Sequence, residues 1–212
     1  MTDSIAKIKQ VAKSVRVYDK DSIQVKGTIK DKMAIQVADA LAVAVDADLV
    51  NAIKDEAVYT EDVDVAGNFT QSVINNAFSV FGDDVDNDSF AGILINSRLR
   101  NEIMDFSAFT DATKTFNGVN GNGIVRDGVI GYWNGTIPVI ISDNATYDSA
   151  KKKAILAIVK KDALGIIWQK QPNVEEARAA LHLATDIVAS ELYATKLMRK
   201  DGVSVLNVKF GE

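Results

Sequence analysis

DKMAIQVADALAVAVDADLVNAIKDEA, residues 31–57, is the longest uninterrupted helix-favouring stretch of this 212-residue sequence. It contains neither Pro nor Gly, and much of it is Ala and Leu, which have high helix propensity. Asp31 stands where an N-cap residue is expected. We therefore predict one helix that is about 40 Å long and serves as the backbone for the other elements.

The apolar residues of this stretch predict how the helix packs. One set recurs every three or four positions and predicts a wide apolar face. A second set widens that face past half the circumference, so we expect packing on more than one side. The first set is Ala34, Val37, Ala38, Leu41, Val45, Leu49, Ala52 and Ile53, and the second is Ile35, Ala42, Val43 and Val50.

The composition excludes several classes of protein. A chain of this length can bury an adequate core as one or two domains. It has no Cys, which excludes disulfide frameworks and thiolate metal sites. A net charge of -5 with 25% charged residues gives no support for a broad nucleic-acid surface. Gln36, Asp39 and Asp46 interrupt the apolar run of the long helix, so no membrane span is predicted.

The basic residues are concentrated at the N-terminus. Residues 1–32 carry eight Lys and Arg against four Asp, which leaves the remainder acidic. Residues 5–26 are predicted to be extended. This segment is either a solvated strand or a basic surface that pairs with another subunit. The candidate inter-subunit contacts here are Lys7, Lys9, Lys13, Arg16 and Lys20.

Further along the chain, residues 61–67 form an acidic connection, and residues 69–81 are predicted to be a helix that stops at Gly82. A strand at 90–95 is followed by Asn96 or Ser97 as the cap of another helix. Asn134-Gly135 lies between two apolar runs and predicts a type I′ hairpin, and Pro138 suggests a free side on the second strand. Additional strands are predicted at 154–159, 164–168 and 203–210.

Residues 173–199 are ambiguous between helix and strand. Asn173 with Glu176 resembles a capping box, and Ala177, Leu181 and Ala184 begin a helical spacing that continues through Val188 and Leu192. The apolar residues at 187, 188, 192 and 193 also suit a long strand. Periodicity alone does not separate the two.

No residue set in the sequence predicts catalysis, cofactor binding or a metal site. His182 is the sole histidine and does not join the apolar stripe of its segment, so a solvated or structural role is expected. Residues 107–127 are rich in Gly and Asn and predict a mobile surface loop rather than a phosphate-binding loop.

The order of these elements resembles the major capsid protein of tailed bacteriophages, which has the Hong Kong 97 fold. The resemblance covers about residues 8–210. It depends on ILINS at 93–97 before a helix, GYWNGTIPVIISD at 131–143 and YATKLMRKDGV at 193–203.

The resemblance implies an α+β fold with a long spine helix, a peripheral-domain sheet and an axial domain of mixed sheet plus helices. Residues 1–30 are then a remnant of the extended loop and a lead-in strand. Residues 31–69 and 169–212 form the peripheral domain, and residues 70–168 form the axial domain. It also implies that 185–197 is a strand and that the Gly-Asn loop lies near the axial tip. Asn117, Asn120 and Asn122 of that loop are further candidate inter-subunit contacts.

Only some thirty residues precede the spine helix, whereas the family carries an N-terminal arm and a complete extended loop there. We therefore expect the chain alone to be a folded monomer or small oligomer. Any association through the basic stretch should weaken as ionic strength rises.

The resemblance implies a structural, non-enzymatic role without a cofactor: hexamers and pentamers of the chain form an icosahedral shell that encloses phage DNA without sequence-specific binding. The expected location is the virion, after assembly in the bacterial cytoplasm. Expected partners are other copies, with phage scaffolding, portal or protease proteins as further candidates. An encapsulin-like shell is the nearest alternative. A small enzyme or ligand-binding domain, with 107–127 as a lid over a pocket, is the alternative from another class.

Overall fold

The computed structural model describes residues 5–24, 28–64, 69–83, 86–111 and 129–210. Two compact units divide the chain: unit 1 holds residues 1–49 and 166–196, and unit 2 holds 50–165 and 197–212. The predicted division into peripheral and axial domains stays a prediction.

The helices are α1 Asp19–Gln24, α2 Ile29–Glu56, α3 Gln71–Ser79 and α4 Arg100–Met104. The strands are β1 Lys9–Tyr18, β2 Tyr59–Asp64, β3 Phe90–Ile95, β4 Phe109–Asp111, β5 Val129–Trp133, β6 Ile137–Ile141, β7 Tyr147–Asp148, β8 Lys153–Lys160, β9 Leu164–Ala179, β10 Ala184–Leu197 and β11 Val203–Lys209.

Unit 1 is built from a three-stranded sheet and most of α2. The strand order is β1-β10-β9, and β1 runs antiparallel to β10. Val37 and Leu41 of α2 pack on Ala189 of β10, with Val11 and Val15 of β1 beside them. The helix therefore buries its apolar face on one side of this sheet.

Unit 2 is organised around a mixed sheet with the order β2-β11-β8-β3-β6-β5-β4, and β7 pairs with β8. Central strand β8 is buried on both faces because its alternate residues join two different cores. Leu156 and Ile158 belong to the core that includes α3 and α4, whereas Ile155 and Ala157 belong to the core that includes Ile53 of α2. This burial explains the continuous apolar run from 154 to 159.

The start of α2 and its exposed face differ from the prediction. The helix begins at Ile29, so Asp31 lies in its first turn, where the helix dipole favours a carboxylate, and is not the N-cap. Ile35 is 61% exposed and Val43 is 49% exposed, and of the second apolar set only Val50 is in the buried core. The second apolar set therefore does not widen the buried face as predicted, because Ile35, Ala42 and Val43 are exposed.

Several predicted elements are confirmed. Helix α3 and strands β3, β8 and β11 lie where the sequence placed them, and the side chain of Asn96 accepts a hydrogen bond from the Arg98 amide. Asn134 and Gly135 have φ values of 49° and 77°, as a type I′ turn requires. β6 is an interior strand, but its register with β3 begins at Val139, so Pro138 lies just outside that parallel ladder.

Three sequence predictions require correction. Residues 59–64 form strand β2, which pairs in parallel with β11, and are not simply an acidic connection. Residues 19–24 form α1, so the extended N-terminal segment ends at Tyr18. The capping box predicted at Asn173 does not exist, because β9 continues through Ala179.

Asp62 of β2 links its strand to β11, the neighbour of β2 in the sheet, and to β8, the strand beyond β11. Its carboxylate accepts hydrogen bonds from Lys153 at 2.7 Å and Asn207 at 3.1 Å, and the Lys209 ammonium lies 3.3 Å away. The hydrogen bond from Lys153, assisted by the other two partners, lowers the pKa of Asp62 to about 2. A depressed folded-state pKa stabilises the fold above the unfolded value of about 3.9, and this contribution is lost as the pH falls through about 2.

We expect Asp62→Asn to lower the free energy of unfolding at neutral pH by less than about 1 kcal/mol, because the cluster is solvent-exposed. The difference from wild type should disappear between about pH 4 and pH 2. Chemical denaturation across this range measures it. Asp64→Asn, at an exposed position of the same strand, is the control. A difference that persists unchanged at the lowest pH would contradict the role given to Asp62.

Candidate assembly surfaces

The turn between β9 and β10 presents leucines to solvent at one end of unit 1. The chain reverses through a 3-10 turn at Ala180–His182, and Leu183 adopts a left-handed conformation with φ 48°. Leu181 is 99% exposed and Leu183 is 67% exposed. Two exposed leucines at the end of a hairpin are a candidate surface for another protein to cover.

Helix α1 is fixed against this turn by polar contacts. The Asp19 amide donates to the Leu183 carbonyl at 2.9 Å, and both guanidinium nitrogens of Arg178 donate to the Asp19 carboxylate at 2.6 Å. The hydrogen bond from Arg178 lowers the pKa of Asp19, which therefore stays ionised. One helical turn further on, Ile23 is 82% exposed. We call Ile23, Leu181 and Leu183 the tip patch.

Strand β9 provides a second exposed surface. It is 16 residues long and lies at the edge of the unit 1 sheet, and residues 167–178 are exposed along it. Exposed edge strands are templates for pairing with another chain. Pro172 removes one backbone hydrogen-bond donor, and charged side chains recur along the strand. Both features protect the edge against unspecific pairing with other strands. The exposed apolar side chains of β9 are Ile167, Trp168 and Val174.

The structure places the basic residues of the N-terminal stretch on or beside β1. Lys9 forms an ion pair with Asp48, and Arg16 forms a bidentate pair with Asp186 at 2.6 and 2.8 Å, both within the chain. Lys7 and Lys13 are exposed. Lys20 is exposed and stands over the Tyr18 ring at 5.9 Å. Their role as inter-subunit contacts stays a prediction. Asn117, Asn120 and Asn122 lie outside the described residues.

The tip patch was missed by sequence reasoning. The only signal was the pattern ALHLA at 180–184, in which two leucines flank the sole histidine. In the sequence, Leu181 belongs to the helical spacing of a segment that is ambiguous between helix and strand, so nothing there marked it as a turn residue. In the structure His182 is exposed at the turn, as expected of a solvated histidine.

Unit 2 contains an open depression of about 650 Å³. Lys161 and Asp88 form an ion pair at its edge, with 3.1 Å between nitrogen and oxygen. No histidine is among its lining residues, which are Asp88, Phe90, Ala91, Val129, Tyr132, Thr136, Pro138 and Lys161. The lid proposed for an enzyme, residues 107–127, lies for the most part outside the described residues. In the described ranges, no three His, Cys, Asp or Glu side chains are grouped to hold a metal ion.

The chain has the α+β Hong Kong 97-like fold, as the sequence predicted, and shares it with phage capsid proteins and related shells. In a comparison with solved structures, it superposes on a protein of Mycobacterium phage Che8 with a TM-score of 0.67 and 20% identity, over 93% of this chain and 70% of that one. It also superposes on the capsid of an empty GTA particle with a TM-score of 0.69 and 12% identity, over 96% and 74% of the two chains.

A third similar structure is the holo-SrpI encapsulin complex from Synechococcus elongatus PCC 7942. Its TM-score is 0.66 at 13% identity, over 94% of this chain and 73% of that one. At such identities the likeness defines the fold. The sequence matches no protein-family model and no curated protein. No helix in the described part of the chain is long and apolar enough to cross a membrane.

Proposed function

We propose that this chain is a structural protein, the major coat subunit of a tailed-bacteriophage head, and that many copies form the icosahedral shell around the DNA. The observation that carries the proposal is the likeness to capsid shells across nearly the whole chain, from 93% to 96% of it in the three structures described. The proposed role needs no catalytic residue or cofactor, because the work of the protein is repeated self-association.

The surfaces exposed on unit 1 supply the contacts that such a shell needs. A specific interface usually buries more than about 1,000 Å², and its centre is usually apolar and depleted of charge. The tip patch has this character, and the β9 edge adds backbone groups and a Trp168 side chain. Ile35 and Val43, eight residues apart on α2, are a further apolar pair that we propose a neighbouring copy covers.

The basic stretch is proposed to contribute at the rim of these contacts. Lys7, Lys13 and Lys20 are the better candidates, because Lys9 and Arg16 are already paired within the chain. The loop residues Asn117, Asn120 and Asn122 are proposed contacts by resemblance alone. Scaffolding, portal or protease proteins are proposed partners during assembly in the bacterial cytoplasm, and the virion is the proposed final location.

The likeness to an encapsulin favours one alternative, a shell that encloses a protein cargo. The composition of particles purified from cells that carry the gene among its native neighbours separates the two functions. The phage role predicts that this chain is the most abundant protein of particles that also contain double-stranded DNA. Particles that contain a single cargo protein and no DNA would overturn the phage role in favour of the encapsulin role.

A further inference from the structure

Glu191 is a carboxylate buried between α2 and the sheet of unit 1. Ala189 and Tyr193 lie two residues before and two residues after Glu191 on β10, and both contact α2. Ala189 packs on Leu41, and the Tyr193 hydroxyl donates a hydrogen bond to Asp48. Glu191 therefore points at the helix too, since alternate residues of a strand share a face. It is 0% exposed.

Among the described residues, neither oxygen of the Glu191 carboxyl has a hydrogen-bond partner. The two donors in its surroundings are both taken by the second carboxylate of the cluster: the Lys9 ammonium pairs with Asp48, and the Tyr193 hydroxyl also donates to Asp48. Lys9 lies opposite Tyr193 in the β1 register, and Val11, which carries no polar group, lies opposite Glu191 itself. The carboxyl groups of Asp48 and Glu191 thus share a single ammonium group, that of Lys9. Asp48 receives both donors, and the carboxyl group of Glu191 receives none.

In the part of the chain that the structure describes, the other elements packed against Glu191 do not supply a compensating charge. Lys13 of β1 is one step away, opposite Ala189, and it is exposed. Strand β9 contributes Trp168, whose ring contacts Tyr193 at 5.4 Å, while its Lys170 bonds Ser190 on the opposite face of β10. On α2, Asp48 is the acidic group in the cluster, and Asp46 is exposed. The Glu191 side chain is therefore closed to solvent, and the cluster of Glu191, Asp48 and Lys9 holds an excess of negative charge.

An ionised carboxylate without a donor is costly in such a place. Burial raises the pKa of Glu191, the charge of Asp48 raises it further, and Lys9 lowers it by a smaller amount. A raised folded-state pKa stabilises the packed form fully below the unfolded value of about 4.3, and this contribution is lost as the pH rises through the folded value.

We propose that Glu191 is a buried proton-binding site that couples the packing of α2 on the unit 1 sheet to pH. With the proton bound, the neutral carboxyl is compatible with the apolar contacts of Leu41 and Ala189. When the proton leaves to solvent, an unpaired negative charge remains beside Asp48, and the strand and helix are driven apart. This device does not depend on the function proposed above.

A carbon-13 NMR titration of the wild-type chain tests the site directly, because the side-chain carboxyl of Glu191 can be assigned through its own backbone. The expected result is a titration midpoint above the ordinary value of about 4.3 for glutamate. A midpoint at or below that value would overturn the proposal. This arm needs no variant, so it decides the matter even if a substitution prevents folding.

Amide hydrogen exchange, corrected for the intrinsic effect of pH, tests the coupling. In the wild type, protection of amides in β10 and in residues 29–49 of α2 should fall as the pH rises through the Glu191 midpoint. Glu191→Gln, which is neutral at every pH, should keep that protection constant. Glu176→Gln, at an exposed position of β9, is the matched control and should behave as wild type. Equal pH dependence in the wild type and Glu191→Gln would overturn the coupling.

Discussion

Replacing Leu181 with glutamate is expected to abolish shell formation while leaving the folded subunit intact. Leu181 is 99% exposed, so its side chain stabilises nothing within the chain. At a contact between copies, burying a leucine contributes about 1.5–3 kcal/mol, whereas burying an unpaired carboxylate is strongly unfavourable. Because the contact recurs in every copy of a closed shell, the penalty is multiplied across the assembly.

Electron microscopy and sedimentation measure this effect for each variant, on particles purified from cells that carry the gene among its native neighbours. Leu181→Met is the matched control, because it keeps an apolar side chain of similar volume. It should assemble as wild type does. Amide exchange of the separated subunits should be the same for all three proteins. Shells formed by Leu181→Glu at wild-type yield would show that the tip patch is not an interface.

Replacing Trp133 with alanine is expected to have the largest effect on the stability of unit 2. Trp133 is completely buried on β5, and the ring of Phe106 meets it edge-on at 6.1 Å. Removing a buried Trp leaves a large cavity and costs about 3–5 kcal/mol. That loss is a large part of the roughly 5–15 kcal/mol by which a domain is stable.

Chemical denaturation followed by circular dichroism measures the change. Trp133→Phe is the informative control because the buried Nε1 of Trp133 has no hydrogen-bond partner within the described ranges. Replacing the indole with a phenyl ring therefore removes packing volume but no hydrogen bond. We expect the free energy of unfolding to fall by less than about 2 kcal/mol. If the alanine and phenylalanine variants lost equal stability, the cavity at Trp133 would not be the cause.

Parts of this fold could be predicted from the sequence because their signals are local. The Asn134-Gly135 turn requires positive φ at two successive residues, which few other pairs tolerate. The unbroken apolar run of strand β8 indicates that this strand is buried on both faces. The long helix follows from high propensity without Pro or Gly. Its start was misplaced at Asp31 because the sequence offers two residues of capping type, and the helix begins directly after the other one, Thr28.

The strand at 184–197 could not be settled by pattern. Its apolar residues fit the helical spacing of three or four positions as well as the strand spacing of two. Glu191 does not break either pattern clearly enough to choose between helix and strand. The resemblance to a capsid protein decided correctly for a strand, and the structure explains the outcome. Thr185, Ile187 and Ala189 are buried in alternation because alternate residues of a strand share a face, and this face of β10 packs on α2 at Ala189.

The candidate sites could not be predicted from the sequence, for a different reason. Leu181 becomes an exposed group because the chain reverses there, and that reversal depends on β9 and β10 being strands. Glu191 becomes a buried acid because Lys9 and Asp48, distant in sequence, meet beside it. Such juxtapositions are products of tertiary structure, and only the contacts between elements reveal them.

The most direct measurement of the proposed role is an electron cryomicroscopy reconstruction of particles that contain this chain. The shell role predicts a closed icosahedral particle in which each copy has this fold and the tip patch of Ile23, Leu181 and Leu183 is buried against a neighbouring copy. Particles whose shell does not contain the chain, or a shell in which the tip patch faces solvent in every copy, would contradict it.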